Sequence, residues 1–176
     1  MTDLRSKVEE DRGLLKKIEL FIPGFRGYRK REDIRAADSL LRQQLANRLG
    51  KVNKKFEDCR EELARTAELS SISDMGDILK SGRNIENKIR HAEQGYSGIS
   101  ADIRIEEEEI NKLYEWDLAL LQTIESLGKL AEDLNASIAG KDGAAAQKIR
   151  NVRKALNDFS STFDKRITLI SGLEVS

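Results

Sequence analysis

Apolar residues recur three and four positions apart along most of the chain, the spacing that lines one face of an α-helix. Leu4, Val8, Leu15 and Ile18 predict a first helix over 2–21. A longer second helix over 28–70 carries Ile34, Ala37, Leu41, Leu45, Leu49, Val52, Phe56, Cys59, Leu63 and Ala67. Between Ala37 and Leu49 the gaps are all four, with Gly50 just beyond, which predicts local unwinding or a slight bend. Ser70, Ser71 and Ser73 with Asp74 predict a turn and a new start. The third helix then spans 72–94 on Met75, Leu79, Gly82, Ile85, Ile89 and Ala92, and Gly82 permits close helix approach. A fourth over 101–138 keeps a 3/4 register through Ile103, Glu106, Ile110, Leu113, Asp117, Leu120, Ile124, Leu127, Ala131, Leu134 and Ile138. The last, over 143–172, carries Ile149, Val152, Leu156, Phe159, Phe163, Ile167 and Ile170.

The breaks between helices are chemical. Pro23 lacks an N–H and drives Ile22 out of the α region, while Gly24 supplies the positive φ of a Pro-Gly type II turn. Phe25 and Tyr28 are the natural plugs of this corner. Gly95 and Gly98 end the third helix, and Gly140 and Gly143 flank Lys141-Asp142 before the last. The expected fold is all-α: an elongated antiparallel bundle of about five helices with coiled-coil-like packing, forming one domain over 1–176. The first and third helices together match the second in length and are expected end to end along it. The fourth is then too long unless it projects or the helix boundary near residue 95 lies elsewhere.

Composition supports long exposed helices: 176 residues, 39% apolar, 35% charged, 5% aromatic and one proline. A formal charge of zero disfavours dedicated nucleic-acid binding, although charge is unevenly placed. Residues 12–35 hold eight Lys/Arg against three Asp/Glu, and residues 102–117 hold seven Asp/Glu against two Lys/Arg. The N-terminal residues lack the apolar run of a signal peptide, and no apolar run reaches membrane-spanning length, so a cytoplasmic location, at most peripheral to a membrane, is expected. The lone Cys59 falls on the seam as an inert thiol.

No catalytic residue, metal site or cofactor is expected. His91 is the only histidine, and Lys88 stands where a di-iron Glu-x-x-His motif needs glutamate. Glu106 to Glu109 fit the first turns of a helix, where its dipole favours negative charge. Phosphate-loop, nucleophile-elbow and zinc-protease signatures do not occur in the sequence. The candidate binding surface is the corner, through Phe25, Arg26, Tyr28, Arg29, Lys30, Arg31 and Arg35. Asp117 lies on the apolar face of LYEWDLALL and requires a partner when buried, with Arg26 or Arg29 expected to supply it.

IPGFRGYRKREDIRAADSLLR, and GYSG followed by LYEWDLALL, resemble a family of uncharacterised prokaryotic helical proteins that pair a PGY-x-GY corner with a later LYEFDLALL-like segment. Phe25 and Trp116 are aromatic exchanges against that pattern. The resemblance implies that the corner and the Asp117 segment occur together and carries no activity with it. The expected function is a non-enzymatic interaction or scaffold protein with a protein partner, and sustained heptads make a homo-oligomer a further option. The alternatives are an anionic membrane surface bound through residues 4–35, with Lys16, Lys17, Phe21, Ile22 and Phe25, and, less favoured, nucleic acid gripped by the arginines with Phe25 and Tyr28 stacking on bases.

Overall fold

The computed structural model describes residues 4–28, 31–66, 69–92 and 107–173, with side chains over 12–28, 36–66, 70–92 and 108–171. These residues form α1 (Leu4–Phe21), α2 (Arg31–Thr66), α3 (Leu69–His91), α4 (Glu107–Gly140) and α5 (Ala145–Leu173), with no strand among them. The chain is an all-α bundle whose apolar core draws on all five helices.

Periodicity explains what is buried. On α2, Leu41, Leu45, Leu49, Val52, Phe56, Cys59 and Leu63 face inward, and so do Met75, Leu79, Ile85 and Ile89 of α3. Leu113, Leu120, Ile124, Leu127, Ala131, Leu134 and Ile138 of α4 meet Ile149, Val152, Leu156, Phe159 and Phe163 of α5. Removing each such Leu, Ile or Phe side chain from water is worth about 1.5–3 kcal/mol.

Cross-helix pairs set the directions. Asn53 meets Glu86 and Glu57 meets Arg83, so α2 and α3 are antiparallel. Asp133 meets Lys148 and Asp117 meets Arg166, so α4 and α5 are antiparallel too. Lys55 on Glu132 and Cys59 on the Ala131 carbonyl belong to an α2–α4 contact in which both helices run the same way, while Asp74–Arg153 and Lys88–Asp164 tie α3 alongside α5. Four helices thus enclose the core in the cyclic order α2, α3, α5, α4.

Two expectations need correction. α3 does run along α2, but α1 packs chiefly on α4, and its C-terminal end reaches α2 where Arg48 donates to the Phe21 carbonyl at 2.6 Å. The expected turn at Ser70, Ser71 and Ser73 is helical, because α3 already begins at Leu69. α2, including Gly50, is one continuous helix, with no break where the spacing changes. The expected start of the fourth helix at 101 lies outside the described residues, as does the Gly95–Gly98 break.

The α4–α5 turn is closed by a Schellman pair: the Asp142 N–H donates to the Ser137 carbonyl (3.4 Å) and the Lys141 N–H to that of Ile138 (3.2 Å). The left-handed residue this motif requires is Lys141, at φ 51, rather than either flanking glycine. Asp142 Oδ1 then accepts from the Ala144 N–H at 2.8 Å and leads the chain into α5.

Candidate functional site

The Ile22–Tyr28 segment takes the turn its sequence dictates. The Phe25 N–H donates to the Ile22 carbonyl at 3.1 Å across Pro23-Gly24, with Gly24 at φ 85, as a type II turn requires. The chain then doubles back, so that Gly27 lies against Leu15 and Tyr114. Gly27 adopts φ 81, and a Cβ there would fall on the Tyr114 hydroxyl. That hydroxyl accepts the Tyr28 N–H at 3.0 Å and fixes the end of the turn. Phe25 meets Tyr28 edge-on, ring centres 5.6 Å apart, and Tyr28 packs on Tyr114 at 5.3 Å.

Tyr28 carries its hydroxyl into a buried polar cluster. Arg166 of α5 donates through Nε to Asp117 Oδ1 (2.5 Å), through Nη1 to Asp38 Oδ1 (2.5 Å) and through Nη2 to the Tyr28 hydroxyl (3.0 Å). Tyr28 in turn donates to Asp117 Oδ2, and Arg42 Nε donates to Asp38 Oδ2 at 2.7 Å. Arg166 and Asp117 are 0% exposed and Tyr28 1%. With two arginines against two aspartates the cluster is neutral. It lies near the C-terminal end of α3, since Lys88 pairs with Asp164 two residues before Arg166. There the long arginine side chain spans from α5 to α2.

The two carboxylates shift in opposite directions. For Asp117 desolvation raises the pKa above the ordinary carboxylate value, and the attraction of Arg166 and the Tyr28 hydrogen bond only partly offset it. At Asp38 desolvation also pushes upward, but Arg166 and Arg42 together outweigh it and leave the pKa lowered. Burial, then the nearby Asp117 charge, holds the Tyr28 phenol well above its usual value. Cys59, buried with its Sγ donating to the Ala131 carbonyl at 3.3 Å, is pushed up to about 11, first by desolvation and then by Asp58. It is protonated and poorly nucleophilic near neutrality.

The partner of Asp117 is therefore Arg166, and the expectation of Arg26 is corrected: Arg26 is exposed. What the corner brings to Asp117 is a phenol. Phe25 and Tyr28 are buried plugs and have no face free to stack on a base. Arg29 and Lys30 lie outside the described residues, as do the side chains of Arg31 and Arg35. Sequence reasoning missed Arg166, and the i,i+4 spacing of Asp38 and Arg42 suggested a solvated pair where the structure buries both, yet a signal existed. Strict alternation of three and four from Ile149 gives 152, 156, 159, 163, 166 and 170, landing on Arg166 instead of Ile167. Read backward from Leu63, it gives 59, 56, 52, 49, 45, 42 and 38. The run of fours at Ala37–Leu49 came from following apolar residues past a charged seam.

Among the described residues no group of three or more His, Cys, Asp or Glu is placed to hold a metal. None of the described helices is long and apolar enough to cross a membrane. Open depressions on the outside of the bundle include one of about 990 Å³ between α4 and α5 beside Trp116 and Leu169, and one of about 860 Å³ between α2 and α4. Compared with known proteins, the chain matches no protein-family model, no curated protein and no solved structure.

Proposed function

We propose that this protein is a non-enzymatic helical interaction module that acts through its outer faces. One observation carries the reading: five ionisable side chains, Tyr28, Asp38, Arg42, Asp117 and Arg166, are buried together and engaged with one another. Their chemistry is used to join α2, α4, α5 and the corner. The described seam positions are likewise buried inside the chain, so a homo-oligomer would use other faces. A cytoplasmic location belongs to the same proposal.

Peripheral membrane binding through residues 4–35 is a second reading, supported by Leu20, which is 85% exposed near exposed Lys16 and Lys17. Against it, Ile22 and Phe25, two of the residues that would insert, are buried, and Phe21 is half-buried. Capture from native lysate separates these readings, using the wild type beside an Arg26→Gln/Arg29→Gln/Lys30→Gln/Arg31→Gln variant matched in helicity and melting. A protein captured by both, or lost only by the variant, supports an interaction module and locates its surface. Pelleting with anionic vesicles in place of any protein partner supports the membrane reading. A folded wild type that captures neither would sink both.

A further inference from the structure

The chain is neutral as a whole, yet α2 between Ser39 and Phe56 holds five basic residues and no acidic one. Arg42 is turned into the core, while Arg48, Lys51, Lys54 and Lys55 line the groove of about 860 Å³ between α2 and α4. Lys55 is held by Glu132 across the groove, and Lys129 by Glu125 along α4. Lys51 and Lys54 are exposed and have no ion-pair partner among the described residues. From Arg48 to Lys55 the cations extend over ~10 Å of helix. Arg48 also holds the Phe21 carbonyl, so the end of α1, with exposed Lys16 and Lys17, adjoins the same groove.

The walls indicate the kind of anion. A partner protein helix would need apolar anchors in a dry pocket, but the apolar residues lining this groove, Val52 and Ile124, are already buried in the core, and Gly128 adds no side chain. A phosphodiester chain needs no such anchor, because its binding derives from phosphate neutralisation and counterion release. Lysines suit it as mobile point charges. We propose that the α2–α4 groove binds the phosphate backbone of a nucleic-acid strand without reading its sequence. This deepens the interaction-module reading and rests on it. It differs from the corner site expected from sequence in location and in lacking base stacking.

The test is fluorescence anisotropy of the full chain with a labelled mixed-sequence single-stranded DNA of about 20 nucleotides, between ~50 and 200 mM salt. Dissociation constants of about 1–100 µM are expected, with a log–log salt slope of about −2 to −3 for three or four neutralised phosphates. Lys51→Glu/Lys54→Glu should weaken binding at least tenfold and flatten the slope by about 1.4. Lys154→Glu/Lys165→Glu, an equal charge change at exposed sites on α5, should stay within about twofold, with both variants checked for native melting. Absence of wild-type binding, or equal loss in the α5 control, overturns the proposal. Displacement of the DNA by a poly-glutamate peptide at equal charge concentration also overturns it and assigns the groove to an acidic protein. If the DNA result is negative while lysate capture still yields a partner, only the groove assignment fails.

Discussion

The two ends of the bundle use one spacing rule with opposite chemistry. Toward the α4–α5 turn the seam is filled by Phe56, Cys59, Leu63, Leu134, Ile138, Ile149 and Val152. Toward the other end the same register holds Asp38, Arg42, Asp117 and Arg166. Apolar seams tolerate slippage, because one aliphatic contact resembles the next. A charged cluster does not, since any shift leaves a buried ion unpaired at a cost of several kcal/mol. The polar end thus sets the register of α5 against α2 and α4, and Tyr28 locks the corner to it.

The largest effect should come from Arg166→Met, which leaves Asp38 and Asp117 without their shared cation and should cost about 3–5 kcal/mol in urea unfolding. If the cluster mainly specifies register, replacing Asp38, Asp117 and Arg166 together by Leu, Leu and Met should recover most of that loss while broadening the amide NMR spectrum. A triple variant as unstable as Arg166→Met would instead make the charges a net source of stability. At the apolar end Leu134→Ala should cost about 2–5 kcal/mol, and no charged partner can rescue it.

Next is Gly27→Ala, where a left-handed backbone costs about 1–2 kcal/mol for a side chain and the Tyr114 hydroxyl must also move away from the Tyr28 N–H. A melting temperature unchanged by this substitution would remove the corner from the locking mechanism.

pH separates the two carboxylates within the polar end. With its pKa lowered, Asp38 contributes stability that is present above the unfolded value of about 3.9 and lost as pH falls through the folded value. With its pKa raised, Asp117 contributes stability that is full below the unfolded value and declines as pH rises through the folded one. The deficit of Asp38→Asn relative to wild type should therefore shrink between pH 7 and 3, and that of Asp117→Asn should not. Parallel profiles would contradict the assignment.

The smallest change lies at the apolar end. Lys141→Gly should stabilise by about 0.5–1 kcal/mol, because glycine occupies the left-handed position of the Schellman turn without Cβ strain. Calorimetry would detect the shift, and a loss of stability would mean that the Lys141 side chain contributes elsewhere.

Periodicity and turn chemistry are local, so the sequence by itself determined the helical class, the approximate helix spans, the type II turn at Pro23-Gly24 and the burial of Asp117. Each follows from residues within one helix turn or one tight turn of each other. Only the tertiary structure decided that α1 lies on α4, that Arg166 and not Arg26 neutralises Asp117, and that Asp38 and Arg42 complete the cluster. Those pairings join residues up to 128 positions apart. A buried charge states in sequence that it needs a counter-charge, but several arginines can meet that need, and packing of helices selects among them. The basic groove has the same origin: its lysines are visible in α2, and it becomes a site only where α4 supplies the second wall.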